Sequence, residues 1–224
     1  MLLIAIDTSG RKGSVGLCRG SAGSFETPQL VSLEGGTYSA RLMPAIAALL
    51  QNNGFDKKDI DGIAVVSGPG SFTGLRVGLA TVKGLCEVLG KPLATVSMLE
   101  ALAVTHGEGE VTAVLDAGRS EVYVGEYRVG SGGATPKREF IVKLADFPVE
   151  SDATSRMVLT PDQSVADYLQ SVGIKVSVVA PVHADGIGRI GLRKMLAGDV
   201  ADAATVDVNY VRRSDAEMFA KPKL

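Results

Sequence analysis

The sequence contains no tryptophan, two cysteines and two histidines in 224 residues, and aromatic residues make up 5% of it. Its core must therefore be aliphatic. Cys18 and Cys86 are too few for a disulfide framework and fit a reducing compartment. Each reads as a small buried hydrophobe. His106 and His183 lie far apart, and neither has a second histidine at ligand spacing, so no metal site and no metallopeptidase chemistry are expected. No serine or cysteine stands beside an evident base, so no catalytic residue is assigned. An excess of either charge is also lacking. The net charge of −2 excludes a broad basic field for nucleic acid. The apolar opening Met1 to Ile6 stops at Asp7, too short for a signal peptide or a membrane span. A cytoplasmic protein with no membrane contact is expected.

The chain does have 46% apolar and 21% charged residues, the balance of an ordinary globular protein, at a length between one and two domains. Its most informative stretch is Ser67-Gly68-Pro69-Gly70-Ser71-Phe72-Thr73-Gly74-Leu75-Arg76. The apolar run Ile63 to Val66 feeds into it and a helix pattern from Leu75 to Leu89 leaves it. Strand, glycine loop and helix N-terminus aim backbone N–H groups at one place, which suits an anion. Gly68, Gly70, Ser71, Thr73 and Arg76 are the candidate anion residues, with Ser71 or Thr73 as helix cap. The spacing matches neither G-x-x-x-x-G-K-[ST] nor G-x-G-x-x-G. A cation in the first helical turn opposes the macrodipole, so Arg76 either meets an anion or turns to solvent.

In chain order, Leu2 to Ile6 reads as a buried strand ended by Asp7, and Ser14 to Cys18 as its hairpin partner. A third strand lies within Phe25 to Leu33. Helices follow at Ser39 to Asn52 and from Leu75, and Ser97 with Glu100 forms the capping box of a third helix at Met98 to Thr105. The polar segment His106 to Glu110 marks a domain boundary, giving halves of 1–105 and 106–224. A related pattern then restarts. Val111 to Leu115 ends in Asp116, Val122 to Tyr127 follows, and the intervening turn is about two residues tighter than the first. A strand at Glu139 to Val142, one at Met157 to Leu159, a helix at Asp162 to Val172, a strand at Lys175 to Ala180 and a helix at Ala184 to Leu196 complete it. Three hairpin strands, then alternating helices and strands, make a ribonuclease-H-like half. Two such halves give an α/β fold of the actin, sugar-kinase and Hsp70 (ASKHA) type, with mixed sheets flanked by helices. That architecture turns both first hairpins to a cleft, with Asp7 facing Asp116.

Several blocks carry a family resemblance: Ile4 to Ser9, the loop Ser67 to Gly78 with Lys83-Gly84-Leu85, Asp116-Ala117 with Arg119 and Glu121-Val122-Tyr123, and Tyr210 to Glu217. Together they resemble the TsaB (YeaZ) family of bacterial tRNA threonylcarbamoyladenosine synthesis, over essentially the whole chain. The resemblance implies two actin-like subdomains and a non-catalytic partner of TsaD, the threonylcarbamoyl transferase. TsaD modifies the adenosine 3′ of the anticodon in tRNAs reading codons that begin with A. It implies the small ATPase TsaE as a further partner, and a donor that TsaC or its relative makes from threonine, bicarbonate and ATP. It also implies a homodimer through the surface offered to TsaD, chiefly the two long helices of the first half. Two positions depart from the family pattern. Tyr38-Ser39 replaces His-Ser, and Gly118 stands where arginine is usual.

Actin-like kinases grip phosphates with glycine-rich hairpins and an Asp beside a metal. Asp7, Thr8, Ser9 and Asp116 occupy the corresponding turns, of which the first is only moderately glycine-rich and the second tighter still. They read as a weak or degenerate nucleotide site, or as residues that cap their own turns. No cofactor is firmly implied, and ATP or ADP would enter at the assembled complex. The stripe Gly74, Gly78, Thr81, Leu85, with Leu42, Met43, Ile46 and Leu50 of the first helix, reads as the partner interface; the alternative is internal packing. tRNA would be met only through the complex, with Arg212, Arg213, Lys221 and Lys223 as a local basic cluster. The competing function is a stand-alone actin-like ATPase or small-molecule kinase.

Overall fold

A computed structural model describes residues 1–148, 157–209 and 211. The chain forms two compact units. The first begins with β1 (Leu2–Asp7), β2 (Lys12–Ser21) and β3 (Ser24–Glu34), an antiparallel meander. Then come α1 (Tyr38–Asn52), β4 (Gly62–Gly68), α2 (Phe72–Leu89), β5 (Leu93–Ser97) and α3 (Met98–Ala103). β4 pairs parallel to β1, and β5 parallel to β4, as a helical crossover requires. The sheet order is β3-β2-β1-β4-β5.

The second unit repeats this plan. It contains β6 (Gly109–Gly118), β7 (Glu121–Gly130), β8 (Gly133–Lys143), β9 (Met157–Thr160), α4 (Gln163–Ser171) and β10 (Val176–Val178). Read from its β8 edge, the order is β8-β7-β6-β9-β10. This is the first sheet's order, so each unit is a ribonuclease-H-like half. One core packs α4 through Val165 and Leu169 against Val114, Val124 and Val158.

The last helix, α5 (Ala184–Leu196), starts and stops where its sequence pattern predicts, but in the other half. The segment Ala180–Val208 belongs to the first unit, which corrects the expected 106–224 domain. The reason lies in the strands. Period-2 alternation puts Gly16, Cys18, Gly20, Ala5, Gly62 and Ala64 on one face of the first sheet. The larger Ile4, Ile6, Val15, Leu17, Ile63 and Val65 fall on the other, toward α1 and α2. Small side chains let a helix come close, and α5 answers with its own glycines. A Cβ on Gly188 would stand 2.5 Å from the Cys18 sulfur, and one on Gly20 would stand 2.5 Å from a Leu192 methyl.

Ion pairs fix the C-terminal end of α5. Glu100, buried in α3, accepts from Lys194 Nζ at 2.9 Å and from Arg193 at 3.3 Å, and Lys194 also donates to the Thr95 carbonyl at 3.0 Å. The Ser97 hydroxyl caps α3 as expected, accepting from the Leu99 and Glu100 N–H groups. The Glu100 carboxylate also reaches α5, a partnership that its capping-box spacing does not announce. Breaking a buried pair strands its partners, but Arg193 and Lys194 keep 35% and 22% exposure. Glu100→Ala should therefore cost about 3 kcal/mol, the low end for a buried pair. A urea titration should show a lower midpoint at unchanged slope, and an unshifted midpoint would remove Glu100 from the fold's supports.

Candidate functional site: the first hairpin turn and the glycine loop

The chain between β1 and β2 is the point on which the first unit's helices converge. Asp7, at the end of β1, is 3% exposed, and its Oδ1 accepts from the Ser9 N–H at 2.8 Å and the Ser9 hydroxyl at 2.6 Å. This is an Asx turn. Burial raises the Asp7 pKa above the ordinary value, and the hydrogen bonds from Ser9 offset part of the rise. Thr8 is fully buried and donates its hydroxyl to the Gly74 carbonyl at 2.8 Å. The Ser9 carbonyl accepts from the Ser71 N–H at 2.6 Å.

The glycine loop is shaped to receive this turn. Gly68 and Gly70 have φ of 142° and 157°, a region that L side chains rarely occupy. A Cβ on Gly70 would lie 2.5 Å from the Ser9 carbonyl oxygen. Cβ atoms on Gly74 and Gly78 would overlap the Thr8 carbonyl and hydroxyl. The Ser71 hydroxyl caps α2 by accepting from the Gly74 N–H at 3.3 Å. Of the candidate anion residues, Gly70 and Ser71 thus hold the chain's own turn. Thr73 is exposed, and the Arg76 guanidinium lies 3.7 Å from the centre of the Phe72 ring.

From the other side, Tyr38 closes the turn. Its ring is buried at the start of α1, and its hydroxyl donates to the Gly10 carbonyl at 2.7 Å. Gly13 leaves the room, since a Cβ there would lie 2.8 Å from the Tyr38 hydroxyl. Burial pushes the Tyr38 pKa from 10 up to about 12, with the charges of Asp7 and Glu34 adding to the rise. Sequence reasoning missed this residue. Its signal was the Tyr38-Ser39 departure together with a glycine on either side of the ring.

These contacts correct the expected interface. Gly74 and Gly78 are buried against Thr8 of the same unit, and Leu42, Ile46 and Leu50 are buried under α1. Thr81 and Leu85 are half-buried, and the Thr81 hydroxyl donates to the Val77 carbonyl at 2.8 Å. Of the expected set, only Met43 is exposed. The outward face includes other small or apolar residues, Ala47 and Ala48 on α1 and Ala80, Gly84 and Val88 on α2, beside the exposed Arg41, Arg76 and Glu87. Val88 is 80% exposed.

In the second unit, Asp116 is exposed, and its Oδ1 accepts from the Gly118 N–H at 2.8 Å, again capping its own turn. Its N–H donates to Asp162 at 2.9 Å. The turn Arg119-Ser120 has φ of 56° and 59°, the two-residue hairpin geometry, and Gly118 before it has φ of 71°. A glycine at 118 therefore relieves strain. Burial pushes the Cys18 and Cys86 thiols up to about 11, so neither is a ready thiolate near neutral pH. Among the described residues, no three His, Cys, Asp or Glu side chains converge as metal ligands would, and no helix is long and apolar enough to cross a membrane. Arg212, Arg213, Lys221 and Lys223 lie outside the described residues, as does most of the Tyr210 to Glu217 block.

The family model described as TsaD, tRNA N6-adenosine threonylcarbamoyltransferase, matches residues 33–182. The chain belongs to this family. Named relatives place it in the TsaB (YeaZ) branch. It is 35% identical over 134 residues to the tRNA threonylcarbamoyladenosine biosynthesis protein TsaB of Bacillus subtilis, covering 59% of this chain and 57% of that protein. It is 32% identical over 137 residues to the TsaB of Escherichia coli, covering 59% and 58%. The chain thus spans about half the length of the curated relatives it matches. YeaZ from Pseudomonas aeruginosa superposes with a TM-score of 0.77 at 25% identity, covering 94% of this chain and all of that one. Component A of the Acidaminococcus fermentans (R)-2-hydroxyglutaryl-CoA dehydratase, at 10% identity and a TM-score of 0.50 over 88% of this chain and 99% of that one, shares the fold alone.

Two outcomes follow from the closed turn. Gly78→Leu drives a side chain into Thr8 and should destabilise the protein by about 1–3 kcal/mol or more, seen as a lower melting temperature. Wild-type melting would mean that Gly78 faces open space. The second concerns pH. The folded state keeps the Tyr38 proton while the unfolded chain loses it, so stability falls as pH rises from 10 to about 12. The Tyr38 contribution is whole below pH 10 and lost through that window. Tyr38→Phe should cost about 1 kcal/mol at neutral pH and flatten that descent. An equally steep alkaline fall in the variant would assign it to other groups.

Proposed function

We propose that this chain is a non-catalytic partner of a TsaD-type transferase in the formation of threonylcarbamoyladenosine on tRNA. The observation that carries the reading is the family match joined to the closed first turn. Thr8 and Ser9 are held by α2 and its cap, and Gly10 by Tyr38, in the place where actin-like kinases grip phosphate. A chain so arranged suits the work of a platform. Its net charge of −2 supports a role in which the partner supplies most of the tRNA contact. TsaE joins the assembled complex on this reading, and ATP or ADP binds there.

The platform is the outer face of α1 and α2. Met43, Ala47, Ala80, Gly84 and Val88 give it a low apolar relief that another helix pair can approach closely. A second copy of the chain would use the same patch in an isologous dimer, so dimer and transferase complex should exclude each other.

Mixing the chain with a TsaD homologue from the same organism tests this. The pair should co-elute and modify tRNA when the threonylcarbamoyl donor is supplied, and the chain alone should give no product. Ala80→Glu puts an unpaired carboxylate in the contact at a cost of several kcal/mol, which should weaken complex and dimer by roughly a hundredfold or more. Its melting temperature should stay near wild type, because Ala80 is exposed. Product formation by the lone chain would overturn the non-catalytic role. Tight magnesium-ATP binding with turnover by the lone chain would favour the kinase alternative, and unchanged co-elution of Ala80→Glu would move the interface elsewhere.

A further inference from the structure

We propose that residues 184–201 form a clasp on the first sheet, and that α1 and α2 keep their fold only while the clasp is closed. Three features of the first sheet and its covering helices carry it. The first is that α5 is the cover of the small-residue face. Gly188 meets Cys18 and Ala5, Gly191 meets Ala64 and Ala94, and Met195 fills the space above Gly62. Removing α5 would bare Gly16, Gly20, Gly62, Ala5 and Ala64 together with the apolar Leu3 and Cys18, which have no other cover on that side among the described residues.

The second is that α5 is a weak helix alone. Gly186, Gly188 and Gly191 all lie within its thirteen residues, and glycine disfavours a helix interior. The helix is therefore formed by docking, and the sheet face is sealed by the helix it helps to form. Each is a condition of the other, which makes their opening cooperative.

The third is that the clasp is latched at both ends and at the sheet edge. The Ala184 N–H donates to the Ser14 hydroxyl at 2.9 Å. Arg193 and Lys194 pair with Glu100, and Lys194 reaches the Thr95 carbonyl. Beyond the helix, the Ala201 N–H donates to the Leu93 carbonyl at 2.7 Å, covering the otherwise open edge of β5. Ser14 pairs in register with Asp7, the end of the strand that leads into the Thr8-Ser9 turn. The latch at the head of α5 is thus one residue pair from the turn that seats α2. Opening the clasp loosens β1 and β2, and with them the contacts of Thr8 and Ser9 to α2 and of Gly10 to Tyr38.

The link from clasp to partner binding rests on the platform reading above, whereas the link from clasp to helices does not. Hydrogen exchange with mass-spectrometric readout, on the full chain in sub-denaturing urea, tests the latter. The variants are Gly188→Ala, which crowds Cys18, and Ala201→Pro, which removes the edge donor. Gly188 meets β1 and β2, and Ala201 meets the edge of β5. We expect α5, β1, α1 and α2 to enter fast exchange at one common urea concentration, and both variants to speed exchange in all four by at least tenfold. Faster exchange confined to α5, with α1 and α2 at wild-type protection, would overturn the clasp. With a TsaD homologue, Ala201→Pro should also lose affinity. Coupled exchange in a chain that binds no such homologue would defeat the platform reading and leave the clasp standing.

Discussion

The first unit depends on one close approach, the packing of the Thr8-Ser9 backbone against the first two turns of α2. A peptide backbone can lie this near a helix only where the helix has no side chains, and Gly74 and Gly78 supply that gap one turn apart. Gly70 does the same for the loop before the helix. The polar groups that such burial would orphan are all answered locally. Thr8 donates to Gly74, Ser71 donates to Ser9, and Asp7 accepts from Ser9 twice. The penalty that remains is a buried carboxyl, and it appears in the raised pKa of Asp7. Tyr38 then fixes the same turn from α1, so both long helices take their positions from four residues of chain.

This arrangement divides α2 into three faces with different work. Leu75, Leu79, Val82 and Cys86 are buried toward the sheet. Gly74 and Gly78 meet the turn. Ala80, Gly84 and Val88 are left outward. A helix with two inward faces needs apolar or small residues around most of its circumference, so its sequence looks hydrophobic nearly all round without being fully buried. The middle of the outward third is small, with Ala80 and Gly84 between the exposed Arg76 and the Glu87-Val88 pair. Its low relief is a by-product of geometry that a partner helix could exploit.

Much of the fold was legible in the sequence, and the illegible part has a common cause. The runs Leu2 to Ile6 and Ile63 to Val66 announce buried central strands, Gly90 stops α2 in a left-handed cap, and α5 has the expected limits. The repeat of strand order in the second unit followed from pattern alone. Which neighbour a face meets did not. Glycines at i and i+4 look identical whether the close neighbour is another chain or a turn 66 residues earlier, as for Thr8 and Gly74. Glu100 sits at a capping-box spacing, and nothing local reveals its ion-pair partners 93 and 94 residues on. The return of Ala180–Val208 to the first sheet is a long-range choice of the same kind. Periodicity reports that a side is buried, and it carries no address.

An address was nevertheless present in the contrast between the two faces of the first sheet. Alternate residues of β1, β2 and β4 are mostly small on one side and large on the other, with Leu3 and Val66 the exceptions: Ala5 against Ile4 and Ile6, Gly16 and Cys18 against Val15 and Leu17, Ala64 against Ile63 and Val65. Large aliphatic residues fill the space beneath two helices standing off the sheet. Small ones admit a helix that must come near, and a helix that comes near must itself be glycine-bearing. α5, with glycines at 186, 188 and 191, meets that condition, as does α2, whose Gly74 and Gly78 already receive the Thr8 turn. Matching residue volume across a prospective contact, rather than counting apolar positions along one element, is the step by which α5 could have been assigned to the first sheet before any coordinates existed.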